Sequence, residues 1–157
     1  RTVVGVLRKV DTTSVLFFLG ILVAVAALQS AGHLGYVAGF LDKSIGDIYL
    51  INIIIGLLSS VVANVPLVAG AMGMYEIAPS GHFAVDGNFW QFLAYCAGTG
   101  GSVLIIGSAA GVAVMGILNI DFIWYLRKMS LLALAGYMGG AVAYWLLNTS
   151  GIGFFAS

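Results

Sequence analysis

The sequence predicts an all-α membrane protein built of transmembrane helices, one re-entrant helical hairpin and one broken helix. Three observations carry that prediction. The 157-residue chain is 61% hydrophobic and 8% charged, with a mean hydropathy of +1.09, where soluble domains carry about 25% charged residues. Its charges are segregated: no Asp, Glu, Lys, Arg or His falls between Ile48 and Tyr75, between Gln91 and Ile120, or between Ser130 and Ser157. Apolar runs of about 18 residues or more read as membrane helices. Two of these runs are interrupted, one by Pro66 and one by the glycines Gly98, Gly100 and Gly101.

Composition also excludes. Six basic and six acidic residues leave no footprint for nucleic acid, so the few basic residues report membrane topology instead. Cys96 stands alone, which rules out a disulfide framework within the chain and predicts a small buried side chain. The start Arg1-Thr2-Val3-Val4 has neither an initiator Met nor a signal-peptide pattern, and reads as a fragment or processed piece.

Residues 1–44 hold the first span and an interfacial piece. Arg8 and Lys9 precede Thr13 and Ser14, either of which can cap a helix from Val15 to Ser30. His33 to Phe40 is too short to cross and is expected at the interface, with His33 hydrogen-bonding there. The polar turn Asp42–Asp47 follows.

Residues 45–78 form the expected re-entrant hairpin, with its tip at 63–66. Pro66 has no N–H and clashes with the carbonyl four residues back, and it pushes Val65 toward extended geometry. The arms Ile48–Val62 and Leu67–Ile77 would reach roughly 22 and 16 Å, short of the ~30 Å of hydrocarbon. Residues 79–122 hold a polar loop, Asn88 as the expected cap, and a helix expected to break at 98–102, where glycines weaken it. Residues 123–157 hold the last span, running from Trp124 through Arg127 and Lys128 to Leu147, with Tyr144, Trp145 and Asn148 at its far interface. The four-residue glycine spacings, Gly35 with Gly39 and Gly136 with Gly140, are read as ordinary helix packing.

Charge counting favours the hairpin over one kinked span. With a hairpin, Arg1, Arg8, Lys9, Arg127 and Lys128 fall on one side, and Lys43 joins Asp42, Asp47, Glu76 and Asp86 on the other. With a single crossing the basic residues split evenly. The positive-inside rule selects the first arrangement and makes the Arg8, Lys9, Arg127 and Lys128 side cytoplasmic.

Two interruptions inside the bilayer point to a secondary-transporter site. Unwound backbone at that depth survives only where it is buried in protein or lines a polar cavity. The oxygen donors at hand are Ser59, Ser60, Asn64, Thr99, Ser102 and Ser108, hard neutral ligands suited to sodium. The competing reading is that such hydroxyls back-bond to the preceding turn or hold helices together. Enzyme chemistry finds no support. Gly107-Ser108-Ala109-Ala110-Gly111 is not a nucleophile elbow, and His33 and His82 lie near membrane edges, far in depth from any interior serine.

The run Ser59-Ser60-Val61-Val62-Ala63-Asn64-Val65-Pro66-Leu67 through Met72-Gly73-Met74-Tyr75, followed by Gly98-Thr99-Gly100-Gly101-Ser102 and Ile106-Gly107-Ser108-Ala109-Ala110-Gly111, closely resembles NhaD-type sodium/proton antiporters. These belong to the ion-transporter superfamily that also holds arsenite and dicarboxylate carriers. Leu16-Phe17-Phe18-Leu19-Gly20 is similar as well. The likeness covers nearly the whole chain but only the second of that family's two inverted repeats. It therefore implies one inverted-repeat half of an ion-transporter-type fold, whose partner is the N-terminal repeat half of the same transporter. It further implies a hairpin opening outward, elevator-like movement, a homodimer, and a bacterial inner membrane. Sodium or lithium ions and protons are the implied cargo, with no cofactor.

One departure stands out. The family motif has an Asp immediately before the asparagine, and here that position is Ala63. The family carboxylate is the implied sodium ligand and proton carrier, so exchange is expected to be impaired in this chain. The expected cation site is Asn64, Ser60, Thr99 and Ser102, with Ser59 and Ser108 as further candidates. Two rivals stand beside it: a dicarboxylate or oxyanion carrier of the same architecture, and a non-transporting membrane scaffold fragment.

Overall fold

The protein is described from a computed structural model covering residues 12–106 and 108–150. Eight helices follow one another, and no strand forms among the described residues. α1 runs Thr12–Ser30 and α2 His33–Ser44. α3 spans Ile48–Leu58, α4 Asn64–Met74 and α5 Asn88–Gly100. α6 spans Ala109–Leu118, α7 Phe122–Lys128 and α8 Ser130–Thr149.

Gly32 takes the left-handed conformation at φ 77° between α1 and α2, a turn that glycine makes without steric cost. The chain bends there by 74°. Leu34 and Ala38 are the buried residues of α2, and Asp42 follows at the same spacing of four that lines up one helix face. Leu34 packs against Gly73 of α4, and the Tyr75 hydroxyl donates to Asp42 Oδ1 at 3.2 Å. Asp47 starts α3, its Oδ1 accepting from the amides of Tyr49 and Leu50 at 2.8 and 3.0 Å. That cap satisfies donors a helix N-terminus leaves orphaned.

α3 and α5 run side by side in the same direction. Near their starts, Asn52 Nδ2 donates to the Phe89 carbonyl at 3.2 Å. Near their ends, a Cβ on Gly100 would overlap the Gly56 carbonyl oxygen. α4 returns between them and α1, and its end at Tyr75 stacks on Phe83 at 5.2 Å and packs at a tilt against Phe89 at 4.8 Å. The beginning of α3 and the end of α4 therefore meet at one end of the bundle, beside the start of α5. α8 runs against α3 and α5. Asn148 Nδ2 donates to the Tyr49 hydroxyl at 3.0 Å, and the Tyr137 hydroxyl donates to the Ile53 carbonyl at 2.8 Å. Two buried clusters result, one around Ile51, Tyr75 and Phe89, the other around Phe92, Cys96 and Tyr137.

Several boundaries differ from those the sequence predicts. Pro66 does not break the chain: it sits in the first turn of α4, where a missing N–H costs nothing. The bend lies upstream, at Ser59–Ala63, and Ala63 rather than Val65 has the extended conformation, with ψ 146°. Gly98 and Gly100 remain helical, and the irregular stretch begins at Gly101. Gly100 serves close packing against Gly56, not helix interruption. Gly87 occupies the cap position of α5, with Asn88 its first helical residue. α1 already includes Thr13 and Ser14. The last span is split at Met129 into α7 and α8. Of the glycine pairs, Gly140 packs on the Tyr95 hydroxyl, while Gly35, Gly39 and Gly136 face open space. Cys96 is fully buried, as its surroundings in the sequence suggest.

Among the described residues, α8 is the helix long and apolar enough to cross a membrane unaided. Its flank is left uncovered: Leu131 is 80% exposed and Leu132 69%.

Candidate functional site

The bend between α3 and α4 and the irregular segment after α5 come together. Ser59, which ends α3, is completely buried. Its hydroxyl oxygen lies 2.6 Å from Asn64 Oδ1 at the start of α4. It also lies 2.7 Å from the Ala97 carbonyl of α5. Gly101 closes the far wall: a methyl group placed on it would stand 3.2 Å from Asn64 Oδ1 and 3.5 Å from Ser59 Oγ. Glycine at that position leaves the space between these oxygens open.

The hydroxyl of Ser59 has one proton for two acceptors. Three oxygens converging on one proton form an electron-rich nook. Two helices, α3 and α5, also point their C-terminal ends toward it, and helix C-termini carry negative partial charge. Only α4 presents its N-terminus beside them.

The other sequence candidates are bonded locally. Ser60 Oγ donates to the Leu57 carbonyl at 2.7 Å and is buried. Thr99 Oγ1 donates to the Tyr95 carbonyl at 2.7 Å, and Ser102 Oγ to the Thr99 carbonyl at 2.6 Å. Each is the back-bond that serines and threonines make to the preceding turn. Ser108 Oγ accepts from the Gly111 amide at 3.2 Å and caps α6. Ser59 and Asn64 are thus the pair that reaches across elements. The Ala97 carbonyl was not legible as a participant, because a backbone oxygen has no signature in the residue type. Asn52 was also passed over. It is fully buried, and its Oδ1 has no partner in the described structure. The available signal was a lone amide in the apolar run Ile48–Leu58.

Ala63 takes the cap position of α4 and offers no side-chain hydrogen bond there. No cluster of three or more His, Cys, Asp or Glu able to hold a metal ion occurs among the described residues. Any cation at this nook would be held by neutral oxygens.

An apolar helical chain whose interrupted elements bring neutral oxygens together has the build of a piece of a membrane transporter. A profile of the citrate transporter family matches residues 2–93. The chain belongs to that family, and within it the likeness is to NhaD-type sodium/proton antiporters. Sodium/proton antiporter 1 of Arabidopsis thaliana is 52% identical over 138 residues, covering 88% of this chain and 23% of the relative. Sodium/proton antiporter 2 of the same plant is 47% identical, covering 88% of this chain and 32% of the relative. The Na(+)/H(+) antiporter NhaD of Vibrio cholerae is 37% identical, covering 86% of this chain and 27% of the relative. The chain therefore spans less than a third of the length of these relatives. No solved structure matches it.

Proposed function

We propose that the chain is the C-terminal repeat half of a secondary transporter that exchanges sodium for protons, and that the nook at Ser59, Asn64 and the Ala97 carbonyl is its half of the cation site. The observation that carries the reading is the three-oxygen convergence at the meeting of two helix C-termini. A small cation placed among those oxygens is coordinated by all three, and the shared proton is freed to turn elsewhere. Ser60, Thr99, Ser102 and Ser108 complete the proposed set: each hydroxyl engaged in a local bond still carries lone pairs.

The return of α4 toward the start of α3 supports a re-entrant hairpin entering from the Asp47 face. With Asn88 at that face, the nine-residue rise to Ala97 puts the nook about 14 Å deep, near the middle of a ~30 Å slab. The face of Arg127 and Lys128 is then cytoplasmic; Arg8 and Lys9, expected on the same side, lie outside the described residues. The host is the bacterial inner membrane or the membrane that houses the plant relatives. The N-terminal repeat half, and a second copy in a homodimer, are the proposed partners.

Ala63 sets the limit of the activity. Antiport needs a group that holds either the cation or the proton but not both, and alanine does neither. Sodium binding without proton coupling is the expected state of this chain. In vesicles, sodium-driven proton movement should be near background with Ala63 and appear in Ala63→Asp. Because position 63 caps α4, Asp would also add about 1 kcal/mol of helix stability. Ala63→Asn supplies the cap without the charge and is the control. Proton movement in the Asn variant equal to that of the Asp variant would sink the carboxylate assignment.

A second reading has its own support: the matching family is described by citrate transport. In it the nook takes a dicarboxylate or oxyanion at the start of α4. Thermal stability separates the two, since a ligand stabilises the state that binds it. Sodium chloride should raise the melting temperature above that in choline chloride, while millimolar succinate, a dicarboxylate, as its choline salt should not.

A further inference from the structure

We propose that the crease between α3 and α8 at the Asp47 end binds a phospholipid with an ammonium headgroup. The crease encloses about 230 Å³. Its floor is apolar, formed by Leu50, Ile53, Phe92 and Val142, while Asp47, Tyr49 and Trp145 line it as well. Leu50 and Val142 are about half exposed, at 52% and 50%, so the apolar floor continues outward onto the uncovered flank of the bundle. An acyl chain fits such a surface.

The mouth supplies the selectivity. Asp47 is exposed and spends Oδ1 on the cap of α3. Its Oδ2 has no partner among the described residues and is open to a primary ammonium. The Tyr49 hydroxyl accepts from Asn148 and keeps its own proton to donate to a phosphate oxygen. Trp145, 46% exposed, offers an aromatic face that attracts a cation. No lysine or arginine lines the crease, so an anionic headgroup would meet the Asp47 carboxylate without a counter-charge. The proposed occupant is therefore phosphatidylethanolamine. The inference rests on placing the Asp47 end at a membrane face.

The test is native mass spectrometry of the purified full chain, released from micelles containing phosphatidylethanolamine and phosphatidylglycerol of equal chain length. The wild type should retain the ethanolamine lipid about fivefold over the glycerol lipid, the discrimination one exposed charge contact can give. Asp47→Asn keeps the helix cap, and should bring the two lipids to parity with total bound lipid unchanged. Val142→Trp should reduce both. Equal retention by the wild type, or a preference that survives Asp47→Asn, overturns the proposal. So does a discrete dimer that excludes lipid, which would assign the crease to a second copy. Absence of any retained lipid from a chain that stays monodisperse without detergent would overturn the membrane placement itself, a failure distinct from lost headgroup preference.

Discussion

Ser59 shows how much can depend on a single hydroxyl. It is buried without access to water, and from the cap position after α3 it touches both the start of α4 and the backbone of α5. Ser59→Ala should destabilise the chain by about 1–3 kcal/mol, since two acceptors lose their donor in a buried setting. The same variant should abolish any stabilisation by sodium, measured as the shift in melting temperature. Asn64 was readable in the sequence because an amide two residues before a proline in an apolar run has few structural uses. From the sequence Ser60 ranks ahead of Ser59, yet Ser59 is the one turned toward Asn64 and Ala97 while Ser60 bonds back to Leu57; residue type does not show that orientation.

At the scale of the element, glycines were the features hardest to interpret. Gly98, Gly100 and Gly101 look alike on paper and do three different things. Gly98 has open space around it, Gly100 meets the Gly56 backbone, and Gly101 faces the Asn64 amide. Gly98→Ala should be neutral or stabilise α5 by up to about 1 kcal/mol. Gly100→Ala should cost about 1–3 kcal/mol or more, because the neighbour it meets is main chain that cannot move aside easily. Thermal melts of the two variants would check the contrast, and equal values would refute the packing role given to Gly100. Pro66 was misleading for a related reason. Proline ends helices in their interior and begins them in their first turn, and residue type alone does not say which. The order of the helices from Ile48 onward was legible from apolar run length and charge gaps, but the split of the last span at Met129 was not. The pairing of α3 with α5 was not, as it depends on two glycines forty-four positions apart meeting face to face.

For the whole molecule, the uncovered apolar flanks decide behaviour. Leu16, Leu19, Leu22 and Val23 of α1 are each more than half exposed, as are Leu131 and Leu132 of α8. Monomeric soluble proteins rarely leave contiguous patches of that kind. The expressed chain should therefore remain in the pellet after alkaline carbonate washing of membranes and come into solution only with detergent. Recovery in the carbonate supernatant would contradict a bilayer setting. Membrane character was legible at once from the scarcity of charge. The partners of these flanks were not, because lipid and a companion repeat select the same side chains. Finally, the contact of Gly56 with Gly100 has a mechanical consequence. With no side chains between them, the two main chains abut like welded rails, and α3 cannot slide along α5 without prying both apart. Any movement that uncovers Asn64 must then leave the Ser59–Ala97 wall standing and swing the other leaf, α4, away from it.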